Sequence, residues 1–308
     1  MNMAENGSAP SPFQHARGAA MLHDLAGQWS GHGPPIIVFN KSHSGSRALA
    51  RLLAASGVFI GSDLNESEDA ADILRLVEPM VERHYPDYAR LMREGDPQLT
   101  DLVTSVFSRH LKHCPKGTRW GWKLCETLYI VPLLDRLFPG AIYLHLVRDG
   151  RDVAFSDHVA PELPFWRKVY FDTTAIERWQ GRRLYHPDYR RAPHVFNARH
   201  WVNSVSVARH YGSMLGERYI EVRYEDLVCR PEATARRLLP ALGLPADPEV
   251  IASFAAAADT SSVGKYRRQP ERKQTEALEV LHPTLASFGY ADPRAGARPG
   301  VLAHLFRR

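Results

Sequence analysis

Two segments of the chain carry residue types that bind anions, at spacings suited to a nucleotide. The first is Lys41-Ser42-His43-Ser44-Gly45-Ser46-Arg47, which follows the apolar run Ile36 to Phe39 and precedes the helix-like stretch ALARLLAAS. A buried strand that ends in a Ser/Gly loop and opens a helix turns successive backbone N–H groups, and the positive end of the helix dipole, toward an anion. Gly45 permits close backbone approach, the three serines supply hydroxyls, and Lys41, His43 and Arg47 supply positive or titratable charge. The pattern departs from G-x-x-x-x-G-K-[ST], since neither its first glycine nor the lysine after Gly45 is present. It therefore predicts phosphate-like binding without a dedicated magnesium site. A plain Ser/Gly turn in front of a core helix is the structural alternative.

The second segment is the run AIYLHLV, ending in Arg148 and continuing as Asp149 to Ser156. Helical spacing places Asp149, Asp152 or Val153, and Ser156 on one face, so a strand-end arginine and a helix serine can meet on one phosphate. A local ion pair of Arg148 with Asp152 is the alternative here. Acid–base candidates lie in GSDLNESEDA, where Glu66 is flanked by Asp63 and Asp69. A further isolated cation, Lys123, stands in the aromatic context WGWK. Near the end of the chain SSVGKYRRQPERK gathers Lys265, Arg267 and Arg268.

The elements that must position these residues follow from periodicity. Ile36 to Phe39 and AIYLHLV are short, apolar and β-branched or aromatic, as buried parallel strands are. Leu49, Leu52 and Leu53 share a helical face that Gly57 closes. Charged, helix-spaced residues up to about 113 predict a substrate-side or capping insert. WGWKLCETLYIVPLLDRLF predicts a helix closed by Pro139-Gly140. Arg218 to Arg223 predicts a third strand, followed by a helix with Pro231 near its first turn. The segment between Phe155 and Trp201 is rich in aromatics and arginines without a clear period, and is expected to shape an acceptor pocket. Alternating strands and helices predict an α/β fold: a single parallel-sheet domain with helices on both faces. Its expected limits are 34–290, between a flexible N-terminal tail over 1–33 and a C-terminal tail over 291–308.

In order along the chain, KSHSGSR, LVRDGRDVAFS, RYEDLVCRPE and SSVGKYRRQPERK resemble the motifs of sulfotransferases that use 3′-phosphoadenosine-5′-phosphosulfate (PAPS). The resemblance covers roughly residues 34 to 290. It implies a P-loop nucleotide-binding-like fold and transfer of a sulfuryl group from PAPS to a hydroxyl or amine. Lys41 to Arg47 would bind the 5′-phosphosulfate, and Arg148 and Ser156 the 3′-phosphate. Lys265, Arg267 and Arg268 would close over the nucleotide, Lys123 would face the sulfonate or the acceptor, and Glu66 would be the base, with Asp63, Asp69 and His43 as rivals. Many members carry Arg or Lys where this chain has His43, and Thr where it has Ser46. The cation meeting the leaving phosphate is then His43 or Lys41, with Arg47 third. For Tyr224 and Glu225 of RYEDL a structural role at the sheet edge is expected. The alternatives are a divergent P-loop kinase and a nucleotide-binding relative without catalysis.

Bulk properties set the outer bounds. The 308 residues are 44% hydrophobic and 24% charged, enough to bury a large core, and the formal charge of +5 favours anionic partners. Three cysteines without a C-x-x-C pair support neither a disulfide framework nor a cysteine zinc site, and the scattered histidines predict no metal. No stretch has the length of a membrane span, and the N-terminus lacks the apolar core of a signal peptide. The expectation is a cytoplasmic protein acting on a small-molecule, lipid or glycan acceptor rather than on nucleic acid.

Overall fold

A computed structural model describes residues 17–157, Val169 and residues 190–290. Its centre is β1 (Ile36–Asn40), in which every residue is buried. Around it the described residues form a four-stranded parallel sheet in the order β2-β1-β3-β4, with β2 at Gly121–Lys123, β3 at Ile142–Val147 and β4 at Tyr219–Arg223. Parallel strands need crossovers, and helices supply them on both faces.

Alternation along β1 decides which helices go where. Ile37 and Phe39 point into a core shared with α1 (Arg17–Gly27), α3 (Ala71–His84), α5 (Pro97–His110) and α6 (Val131–Leu137). Here α2 is Ser46–Ala55 and α4 is Tyr88–Glu94. Ile36 and Val38 point the other way, onto Leu49, Leu52 and Leu53 of α2, the face expected from spacing. That second core also takes in α9 (Tyr224–Cys229), α10 (Pro231–Ala241) and α11 (Pro248–Ala256). A third cluster joins α7 (Gly150–Ala154), α8 (Pro193–Leu215) and α12 (Glu271–Ser287).

Two stretches differ from their expected form. Ahead of Pro34, α1 and the turn after it send Leu22, Leu25 and Trp29 into the core, with Trp29 against Phe107 and Phe138. The segment expected as one helix from Trp120 begins instead with β2, passes through a 3-10 turn (Cys125–Ile130) and becomes helical only at α6. Gly121 explains the strand: a Cβ there would lie 1.8 Å from the Ile36 carbonyl oxygen, so only glycine lets β2 pair this closely with β1. Of the stretch between Phe155 and Trp201, residues 158–168 and 170–189 lie outside the described residues, as do 1–16 and 291–308.

Candidate functional site

The loop after β1 is built to turn its backbone around an anion. His43 and Gly45 both adopt left-handed φ, 68° and 83°, and α2 starts at Ser46. The first N–H groups of α2 have no intrahelical acceptor and point out of its N-terminus. Ser44 Oγ donates to the Lys41 carbonyl at 2.6 Å and holds the loop closed. Gly45 is required twice over, because its φ is left-handed and a Cβ would sit 2.4 Å from the Tyr224 ring. Tyr224, at the start of α9, is thus part of the loop's wall as well as a sheet-end residue.

Lys41 is buried, and its ammonium donates to Ser42 Oγ at 2.6 Å and to the Ser42 carbonyl at 3.2 Å. Burial lowers its pKa to about 8, a shift that the neighbouring Cys125 and Glu126 oppose. His43 keeps part of its ring open to solvent. Partial desolvation, followed by the positive charges of Lys41, Lys265 and Arg148, pushes its pKa down to about 4. At neutral pH Lys41 therefore carries positive charge in the loop and His43 does not.

A second cationic cluster forms where β3 ends. Arg148 is buried, donates to the His43 carbonyl at 3.1 Å and to the Ser262 carbonyl, and lies 4.6 Å from the centre of the Tyr224 ring. Lys265 donates to Ser156 Oγ at 2.9 Å. Asp152 binds the late basic segment by its backbone, accepting from Gly264 N–H at 2.8 Å and Tyr266 N–H at 3.0 Å, and stands 3.9 Å from Arg148. Lys265 is thus brought from a remote part of the sequence to Ser156 and Arg148 beside the loop. Arg267 and Arg268 stay exposed on the outer side of Tyr266. Glu225 accepts from the Asp149 N–H and the Tyr290 hydroxyl, both at 2.9 Å, and so ties the end of β4 to the start of α7.

A cleft of about 870 Å³ opens along the loop. One end is apolar, with Leu52 and Ala55 from α2 facing Val250 and Phe254 from α11. The other end is polar and holds Lys123, Asp69 and Glu126. Lys123 is buried and donates to Asp69 Oδ1 at 2.8 Å and to the Ser67 carbonyl at 2.6 Å. Glu66 is exposed and, like Asp63, is not part of the cleft wall, whereas Asp69, His43, Ser42, Gly45, Ser46 and Arg47 are. The Arg148–Ser156–Lys265 cluster adjoins the cleft through His43 and Tyr224 without lining it.

A sequence model of the sulfotransferase family matches residues 34–248. The chain belongs to the sulfotransferase family. Among solved structures, the sulfotransferase STF9 from Mycobacterium avium is 14% identical, with a TM-score of 0.50 over 92% of this chain and 88% of that one. The sulfotransferase domain from the Curacin biosynthetic pathway is 17% identical, with a TM-score of 0.47 over 84% of this chain and 99% of that one. STF1 from Mycobacterium tuberculosis H37Rv is 16% identical, with a TM-score of 0.46 over 88% of this chain and 84% of that one. No curated protein matches the chain. The fold of this sulfotransferase-family chain is the α/β fold expected from its strand and helix pattern.

Three members of the site have no distinct signal in the sequence. Glu126 stands three residues after Lys123 with nothing in the sequence to mark it, and Lys123 pairs with Asp69. Asp152 reads as a partner of Arg148, and its main task is to bind a loop more than a hundred residues away. Tyr224 reads as an edge anchor, and only its contact with Gly45 places it in the site. In each case the deciding contact is between distant segments, which spacing does not encode.

Proposed function

We propose that this protein transfers a sulfuryl group from PAPS to a hydroxyl or amine acceptor by in-line displacement. The supporting observation is the joining of two cationic anion sites through one hydrogen bond, from Arg148 to the His43 carbonyl. A donor with a phosphosulfate at its 5′ end and a phosphate on its 3′ oxygen needs two such sites a ribose apart. The loop Lys41–Arg47 suits the first, and Arg148, Ser156 and Lys265 suit the second. The apolar end of the cleft, walled by Leu52, Val250 and Phe254 beside Tyr224, suits a flat purine.

In this reading the acceptor oxygen attacks sulfur opposite the bridging oxygen. The sulfur–oxygen bond to the 5′-phosphate breaks, and its electron pair leaves on that phosphate. Charge building there is met by Lys41 and the N-terminus of α2. His43, neutral at pH 7 in this structure, gains a proton more readily once phosphate offsets the field of Lys41 and Lys265. Lys123, held by Asp69, faces the sulfonate. The acceptor class remains a small molecule, lipid or glycan. No helix among the described residues is long and apolar enough to cross a membrane, and the reading keeps the expected cytoplasmic setting.

Calorimetry with adenosine 3′,5′-bisphosphate, and turnover of PAPS in excess EDTA, test this. Binding with release of sulfate, or its transfer to a panel of alcohols, phenols and glycans, is expected, with no ATP turnover. Arg148→Ala should weaken the bisphosphate by several-fold to about a hundredfold, the loss of a charge-assisted contact. Unchanged affinity in that variant removes Arg148 from the nucleotide site, and magnesium-dependent ATP use replaces the whole reading with a kinase.

A further inference from the structure

We infer that Glu126 is the general base that takes the proton from the acceptor. This rests on the sulfuryl-transfer reading above and assigns the one step that reading leaves open. The base must be a carboxylate or imidazole that reaches the cleft and is not already committed to a cation. Asp69 is committed, since it accepts from Lys123 at 2.8 Å. Glu66 and Asp63 lie outside the cleft wall, and Asp259, which does line it, is exposed to solvent and is tied to the Ser261 N–H and hydroxyl. His43 stands among Lys41, Lys265 and Arg148, on the phosphate side of the site. Glu126 lines the cleft at its polar end, on the turn directly after β2, and forms no ion pair within 4.0 Å among the described residues.

Its surroundings suit the role. Glu126 is 8% exposed, so its carboxylate is held on the cleft wall rather than in solvent. Burial and then the charge of Asp69 raise its pKa to about 7, while Lys41 and Lys123 pull the other way. The Cys125 thiol beside it is pushed up by burial and by Glu126 itself, and so adds no negative charge at neutral pH. A carboxylate near 7 is basic enough to accept a proton from a polarised hydroxyl, and a substantial fraction is ionised at working pH. Position along chain reinforces this. Lys123 and Glu126 are three residues apart, at the end of β2 and in the 3-10 turn that follows, and both line the cleft.

Atoms and charge balance without a further reactant. The acceptor O–H proton passes to a Glu126 carboxylate oxygen as the new oxygen–sulfur bond forms. The old sulfur–oxygen bond breaks, and its electron pair departs on the 5′-phosphate of the bisphosphate. Glu126 then releases the proton to solvent. With water as the acceptor the same sequence yields inorganic sulfate, which makes the step measurable before any natural acceptor is known.

The experiment compares wild-type, Glu126→Gln and Glu126→Asp proteins for bisphosphate affinity and for PAPS hydrolysis between pH 5.5 and about 9. In wild type the hydrolysis rate should rise with pH through about 7, as Glu126 loses its proton, and then level off. Glu126→Gln should bind the bisphosphate within about twofold of wild type and lose roughly a hundredfold or more in rate, together with that rising limb. Glu126→Asp should keep the limb at a reduced rate. A nitrophenol already ionised at the assay pH, offered as acceptor, should recover most of the Glu126→Gln loss, because no proton remains to be removed. If Glu126→Gln binds the bisphosphate and keeps both rate and limb, the assignment of Glu126 is overturned while the sulfuryl-transfer reading stands. If wild type neither binds the bisphosphate nor consumes PAPS, that reading fails and the base assignment fails with it.

Discussion

Lys41 shows how a residue proposed to bind an anion can cost stability. Its ammonium is buried on the floor of the loop, with its pKa lowered to about 8 from 10.5. Between about 8 and 10.5 the unfolded chain holds this proton while the folded chain has released it. Stability from this group therefore rises with pH across that window, and below pH 8 the buried charge is a standing penalty. Lys41→Met should raise unfolding stability at pH 7 by on the order of 1 kcal/mol, after loss of the two Ser42 hydrogen bonds is counted. That gain should shrink as pH approaches 10, and thermal melts across the range measure it. The same variant should lose bisphosphate affinity, and wild-type affinity should decline as pH rises through about 8. A variant that is destabilised at pH 7 would show that Lys41 is there for packing and hydrogen bonding alone.

At the scale of elements, the site depends on what the strand ends and loops touch across the sheet. The strand-loop-helix of β1 and α2 was readable from sequence because its cues are local: an apolar run, a Ser/Gly loop and Leu49, Leu52 and Leu53 on one face. The same holds for β3 and the placement of Arg148 at its end. The short strand β2 was not readable, since three residues show no period and only pairing with β1 reveals why Gly121 is there. The polar end of the cleft was half legible: Lys123 stood out, while its pairing to Asp69 and the freedom this leaves Glu126 depend on the fold. Gly45 tests the coupling between elements. Gly45→Ala should destabilise by roughly 1–3 kcal/mol, through left-handed backbone strain and a clash with Tyr224, read by chemical denaturation. In a double-mutant cycle, Tyr224→Ala should relieve the clash and leave the strain, so the two changes should be less than additive. Strict additivity would mean that loop and α9 do not depend on each other.

For the molecule as a whole, the sheet is covered on one face by a core that begins before the first strand. The sequence ahead of Pro34 reads as a tail because Gly, Ser and Pro punctuate it, and composition cannot report that Leu22, Leu25 and Trp29 face one way from α1 and the turn after it. Trp29 is 7% exposed and packs on Phe107 of α5 and on Phe138 just beyond α6, so α1 closes the side of the domain remote from the α2 face. Large buried aromatics lose several kcal/mol when truncated, so Trp29→Ala should cost about 3–5 kcal/mol of unfolding free energy. Since neither α1 nor Trp29 lines the cleft, bisphosphate affinity measured well below the melting temperature should stay within about twofold of wild type. Deletion of residues 1–33 should produce the larger stability loss, because it also uncovers Leu22 and Leu25. Unchanged stability after that deletion would return the segment to the status of a tail; a parallel loss of affinity and stability would show instead that both faces of the sheet fold around the nucleotide site as one unit.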